Sequence, residues 1–144
     1  MASTHIAHDC LVGDNVILSN LATLGGHVQI GKWAILGGGV LVHQFTQIGD
    51  HALIGGGFRA VQDVPPFIIA ANHPLKYKGV NIVGLKRRGF SKKDMDLIKK
   101  AYKVFFRSGG NRKEAIKKIE TEFPKTKVIQ QILDFIKHSS RGII

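Results

Sequence analysis

A large aliphatic residue returns at every sixth position over the first part of the chain: Ile6, Val12, Leu18, Leu24, Ile30, Leu36, Val42, Ile48 and Ile54, with the smaller Ala60 closing the series. Two places before each lies a small or β-branched residue, Thr4, Cys10, Val16, Ala22, Val28, Ala34, Val40, Thr46 and Ala52. Glycine directly follows the aliphatic at 13, 25, 31, 37, 49 and 55. A step of six matches neither the period of about 3.6 of an α-helix nor the period of about 2 of a single strand. It fits a solenoid in which each hexad supplies one short flat strand and one corner, and three hexads close a triangular coil. The aliphatic and the small residue both face inward, stacked coils hydrogen-bond about 4.8 Å apart, and glycine is expected to relieve the tight corner.

The prediction is a mainly β protein: a parallel β-helix of hexapeptide repeats over residues 1–64, an extended connecting arm over 65–90 and an α-helical C-terminal part over 91–144. Met1 is already in register, with no polar capping coil ahead of it. An uncovered coil exposes strand edges, so further coils are expected before this sequence in the parent protein. Val64-Pro65-Pro66 stops the repeat, because proline removes backbone donors and fixes φ.

In the arm, Asn72-His73-Pro74 reads as a turn and Val80-Asn81-Ile82-Val83 as a short strand. Ser91 is then an N-cap with Asp94 three places on, and Met95, Ile98, Ala101, Tyr102 and Phe105 form a helical stripe that ends at Ser108-Gly109-Gly110. A second helix is expected from Asn111 to Phe123. Pro124 should open a third, with Val128, Ile132, Phe135 and Ile136 on one face.

Charge changes the picture. The segment 1–64 holds two basic side chains against four acids, while 65–144 holds nineteen against six, giving −2 and +13. The tail is therefore a positive surface suited to an acidic partner or a phosphorylated ligand, or simply a set of solvated helix faces. Nucleic acid is disfavoured: the basic residues are not interleaved with stacking aromatics, and no helix-turn-helix, finger or RNA-recognition signature occurs. Cys10, the single cysteine, falls in the inward register and reads as a reduced thiol, which points to the cytoplasm. No apolar run is long enough for a membrane span, and the sequence gives no indication of a signal peptide.

Folding the repeat with a period of three hexads stacks residue 8 beneath 26 and 44. One corner thus collects Ala7-His8-Asp9, Gly25-Gly26-His27 and His43-Gln44-Phe45, with His5 three residues ahead. His51 falls on another corner and is assigned no role. A neutral imidazole suits proton removal from a hydroxyl near neutral pH, and a carboxylate such as Asp9 orients it. Three imidazoles, His8, His27 and His43, can alternatively bind zinc with an open position for water. Phosphate-loop and dinucleotide signatures are absent, since the glycine runs at 37–39 and 55–57 belong to repeat corners.

At His5-Ile-Ala-His8-Asp9-Cys10, Ala22-Thr-Leu-Gly-Gly-His27, Val42-His-Gln-Phe45, Gln62-Asp-Val-Pro-Pro66 and Gly84-Leu-Lys-Arg-Arg-Gly-Phe90, the chain closely resembles the UDP-N-acetylglucosamine O-acyltransferases that begin lipid A synthesis. The resemblance covers essentially the whole sequence. It implies a homotrimer of left-handed β-helices with active sites in the clefts between them. The reaction it implies is transfer of a 3-hydroxyacyl chain from acyl carrier protein to the sugar 3-hydroxyl, with no cofactor and no metal. It makes His8 the general base, Asp9 its support, and the Gly26 N–H a donor to the thioester oxyanion. It further assigns His5, His27, His43 and Gln44 to the lining of the same cleft, Asn81, Arg87 and Arg88 to nucleotide and phosphate contacts, and Gly56 to acyl-chain length. Family members carry a further set of coils ahead of these, so the sequence also admits a catalytically incomplete trimeric assembly module. Another hexapeptide-repeat acyltransferase, acting on an amine or using acetyl-coenzyme A, is a third reading.

Overall fold

The computed structural model describes all residues, Met1–Ile144. Ten two-residue strands recur at a step of one hexad: β1 (His5–Ile6), β2 (Leu11–Val12), β3 (Ile17–Leu18), β4 (Thr23–Leu24), β5 (Gln29–Ile30), β6 (Ile35–Leu36), β7 (Leu41–Val42), β8 (Gln47–Ile48), β9 (Leu53–Ile54) and β10 (Arg59–Ala60). They stack as three parallel sheets, ordered β1-β4-β7-β10, β2-β5-β8 and β3-β6-β9, in which each strand pairs with the one three hexads on, as His5 does with Thr23 and Leu11 with Gln29. These are the three faces of a prism of stacked coils. The third face is extended by β11 (Ile68–Ala71), parallel to β9, and then by β12 (Lys76–Val80), antiparallel to β11.

The interior is the ladder set by the hexad period. Ala22, Leu24, Val28, Ala34, Leu36, Val40, Ala52, Ile54 and Ala60 are fully buried. Ile6 and Val12, inward-facing in the first coil, remain 49% and 40% exposed at the open end of the prism. At the other end Asp63, fully buried, accepts hydrogen bonds from Gln47 N and Ser139 Oγ, while Ile144 N donates to its carbonyl. The C-terminus is thereby laid along the last coil. Arg112 donates to the Ile143 and Ile144 carbonyls at 2.9 and 3.0 Å and fixes it from the far side.

The expectation for the corner glycines is corrected. The residue with left-handed φ is two places further on, at Ser3, Asp9, Asn15, Leu21, His27, Trp33, Gly39, Phe45, His51 and Gly57, and most of these are not glycine. What demands glycine after the aliphatic is close approach of the next coil: a Cβ on Gly25 or Gly31 would stand 2.7 or 2.5 Å from the backbone nitrogen of Gln44 or Asp50.

The segment read as a strand around Val80–Val83 divides instead. β12 ends at Val80, and Asn81 caps α1 (Ile82–Arg87), its Oδ1 accepting from Gly84 N at 3.3 Å. The α2 helix (Lys92–Phe106) starts at the expected Ser91 cap and buries the expected stripe, with the Tyr102 hydroxyl donating to the Pro66 carbonyl at 2.6 Å. The α3 helix (Arg112–Glu122) follows Asn111, and α4 (Lys127–His138) is capped by Thr126 rather than opened by Pro124. Thr126 wins because its hydroxyl accepts from Ile129 N, a role proline has no side-chain atom to fill. Gln131 of α4 donates to Asp50 Oδ2 at 2.8 Å, tying that helix to the prism. No helix is long and apolar enough to cross a membrane.

Candidate active site

The three prism edges carry different chemistry because the left-handed residues stack with the coils. The first edge displays Asp9, His27 and Phe45, the second Asn15, Trp33 and His51, and the third Ser3, Leu21, Gly39 and Gly57. On the first edge His27 N donates to the His8 carbonyl and Phe45 N to the Gly26 carbonyl, each at 3.0 Å, so three coils are locked in register beneath the site.

His8 Nδ1 lies 2.9 Å from Asp9 Oδ2. A carboxylate only accepts, so Nδ1 carries the proton and Nε2 keeps a free lone pair. The same carboxylate oxygen is 3.7 Å from His27 Nε2. The His8 hydrogen bond, with the His27 charge behind it, holds the Asp9 carboxyl below its ordinary value. The His8 and His27 rings meet edge to face at 5.1 Å, and His27 stacks on Phe45 at 4.8 Å. Gly26 is buried beside Nε2 of His8, and its N–H donates to no protein acceptor. On the second edge the corresponding Lys32 N–H is occupied, donating to Asp50 Oδ1 at 2.9 Å. Gly26 thus presents an unoccupied backbone donor next to an unoccupied imidazole acceptor.

Not every residue of the sequence-derived corner joins this group. His43, exposed, turns its Nδ1 to the Gln44 carbonyl at 3.1 Å and adds nothing to the pair of His8 and His27. The expected three-imidazole cluster is therefore a cluster of two imidazoles and one carboxylate. His5 and Gln44 lie exposed on the same side of the prism. Gly56 is on the third edge, stacked over Gly38, where a Cβ would stand 3.2 Å from the Gly38 carbonyl oxygen.

Arg87 and Arg88 lie on the second edge. They line a cleft of about 800 Å³ with Lys32, Trp33, His51 and Phe90. The Arg88 guanidinium lies 5.0 Å from the Trp33 ring centroid and donates through Nη1 to His51 Nδ1 at 3.4 Å. Burial, together with the Arg88 charge, depresses the His51 pKa to about 4, so the ring is a neutral acceptor. Asn81 is buried, its amide donating to the His51 carbonyl at 3.0 Å while its oxygen caps α1. Its side chain is engaged within the protein and positions the helix that carries Arg88. His51 and Trp33 are the residues that sequence reasoning missed. Both occupy left-handed positions of the repeat on one edge, and that shared register was the available signal.

The family model described as UDP-N-acetylglucosamine O-acyltransferase, domain 2, matches residues 63–144, more than half of the sequence. The chain belongs to the UDP-N-acetylglucosamine O-acyltransferase family. Among curated members of that family, the acyl-[acyl-carrier-protein]–UDP-N-acetylglucosamine O-acyltransferase of Thiobacillus denitrificans is 46% identical over 144 residues, covering 100% of this chain and 56% of the relative. That of Aliivibrio salmonicida is 49% identical over 142 residues, covering 99% and 54%. The crystal structure of the UDP-N-acetylglucosamine acyltransferase from Bacteroides fragilis superposes with a TM-score of 0.96 at 43% identity, covering 99% of this chain and 56% of that one. The chain spans about half the length of the curated relatives it matches.

Proposed function

We propose that the chain carries the catalytic corner of an enzyme that moves a 3-hydroxyacyl group from acyl carrier protein to the 3-hydroxyl of UDP-N-acetylglucosamine, the first step of lipid A synthesis. The observation that carries this reading is the pairing on one edge of the free Nε2 of His8 with the free N–H of Gly26. His8 Nε2 takes the proton of the sugar hydroxyl as its oxygen attacks the thioester carbonyl, and Asp9 stabilises the imidazolium that forms. The Gly26 N–H receives the developing oxyanion. Collapse expels the carrier thiol, which leaves with the proton held by His8. No step calls on a metal or cofactor.

Of the remaining candidate residues, His5, His27, His43 and Gln44 share the side of the prism that carries His8, while Arg87 and Arg88 lie on the second edge and Gly56 on the third, each hexad face spanning at most about 20 Å. A homotrimer of prisms packed side by side brings an edge of one copy against another edge of its neighbour. Support comes from the exposed apolar side chains Leu11, Leu21, Leu41, Phe45 and Val61 along the prism. In that assembly Arg87 and Arg88, whose forked guanidinium groups suit phosphate oxygens, hold the nucleotide diphosphate. His5, His27, His43 and Gln44 line the sugar and acyl path, and the bare third edge at Gly56 leaves room for a long acyl chain. The lysine-rich helices α2 and α3 offer the acidic carrier protein a docking surface. The Cys10 thiol, which donates to the Gly25 carbonyl at 3.2 Å, fits a cytoplasmic protein.

The test is acyl transfer from 3-hydroxyacyl carrier protein to UDP-N-acetylglucosamine, with light scattering on the same preparation. The expected result is a trimer whose activity falls about 10²–10⁴-fold in His8→Ala. A trimer with no transfer, or a rate unchanged in His8→Ala, overturns the reading.

A further inference from the structure

We propose that His8, Asp9 and His27 form a binding site for a divalent transition metal, and that a metal held there withdraws His8 from service as a base. The consequence for catalysis rests on the transferase reading above; the binding site does not.

The three residues offer one ligand atom each within 4.8 Å of one another. Asp9 Oδ2 stands between the rings, 2.9 Å from His8 Nδ1 and 3.7 Å from His27 Nε2. Ligand atoms around a tetrahedral zinc ion lie about 3.3 Å apart, given bonds of about 2.0–2.1 Å. The pair containing Asp9 is already near that spacing, and a swing of about 1.5 Å by the His27 ring closes the third side. The His27 side chain is 44% exposed and stacks on Phe45 with the rings 9° from parallel, so a shift in the ring plane keeps it in contact with its neighbour.

The spacing is set by the backbone. Asp9 and His27 occupy the same left-handed position in consecutive coils, with φ of 60° and 59°, and coil pitch places them about 4.8 Å apart. The donors also select the metal. Two imidazoles and a carboxylate with open coordination positions suit Zn²⁺, Ni²⁺, Co²⁺ or Cu²⁺, whereas Mg²⁺ and Ca²⁺ call for oxygen ligands.

A metal on His8 Nδ1 replaces the proton that Nδ1 otherwise shares with Asp9. The neutral ring must then carry its proton on Nε2, the atom beside Gly26. An imidazole in that state has no lone pair to take a hydroxyl proton. The arrangement that makes His8 a base is thus also the arrangement that a transition metal captures.

Two measurements on the 144-residue chain, without substrate, test this. Calorimetric titration with zinc chloride in chelator-free buffer should give one ion per chain. Asp9→Asn and His27→Ala should each weaken binding by at least about tenfold, while His73→Asn, in the turn between β11 and β12, should leave it unchanged. Diethyl pyrocarbonate modification of His8, followed by peptide mass spectrometry, should slow by about tenfold or more on saturation with zinc and recover with EDTA. Absence of zinc binding, affinity indifferent to both variants, or His8 modified at full rate in the zinc-saturated protein would overturn the proposal. A chain that binds zinc in this way yet transfers no acyl group upholds the site and overturns the transferase reading alone.

Discussion

A Cβ placed on Gly26 would stand 2.7 Å from Cε1 and 2.8 Å from Nε2 of His8. The side chain missing from one coil is the room that the imidazole of the coil below occupies. Because the conflict is with the end of an exposed side chain and not with backbone, Gly26→Ala should fold normally and move only the ring. We expect thermal unfolding to change by no more than about 0.5 kcal/mol. On the transferase reading, acyl transfer should fall by about 100-fold, the cost of a misplacement of about 1 Å.

The His51 ring is buried beside Arg88, and its pKa is depressed to about 4. Unfolding frees it to take a proton near its ordinary value of about 6.5. The unfolded state therefore binds more protons between these values, and the contribution of His51 to stability is complete above about pH 6.5 and lost as pH falls toward 4. Its full extent is on the order of 3 kcal/mol. Urea unfolding of the parent and His51→Gln across pH 4–7 should show a markedly shallower slope for the variant, whatever its absolute stability.

Asp63 binds the last coil to the C-terminal tail through both carboxylate oxygens, to Gln47 N at 2.8 Å on one side and to Ser139 and Arg141 on the other. Asp63→Ala leaves the half-buried Gln47 N–H without its partner and releases the tail. A loss of about 2–4 kcal/mol is expected in thermal or urea unfolding. Carboxypeptidase should also remove residues after Ser139 faster from the variant.

Arg88 lies over the Trp33 ring and donates to His51, both from the prism, while its backbone caps the C-terminus of α1. A guanidinium fixed at two points is presented to solution in one orientation. On the transferase reading, Arg88→Ala is expected to raise KM for the sugar nucleotide by about tenfold or more with a smaller change in kcat. Arg88→Lys should rescue little of this, because a lysine lacks the planar fork. Steady-state kinetics with varied UDP-N-acetylglucosamine separate the two parameters.

The strands were legible because inward packing leaves a mark once in every hexad: each of β1 to β10 ends on the aliphatic of its repeat. The stripe from Met95 to Phe105 was legible for the same reason, and all five of its residues are buried. The left-handed corners were not, because Leu21, Trp33 and Phe45 carry none of the usual turn chemistry and are held in place by coil stacking. Around residue 82, β-branched and apolar residues suggested a strand, but the Asn81 cap and the end of pairing at Val80 decide for a helix. Of the site, the first edge followed from stepping three hexads on from residue 8. The cleft at His51 did not, since its partner Arg88 lies far along the sequence and reaches it only once the arm has folded back.

Stacking in coils of three hexads also limits how such a chain can change length. One hexad inserted between His8 and Gly26 would carry Gly26, His27 and Phe45 to the adjacent edge, leaving a sound prism with its chemistry dispersed. A whole coil would return them to their edge but lift them away from His8 by about 4.8 Å. Growth in this molecule is confined to outward loops at the corners or to whole turns added beyond the ends of the functional edge. The site behaves as a fixed-length word written on a tape that can be extended only outside it.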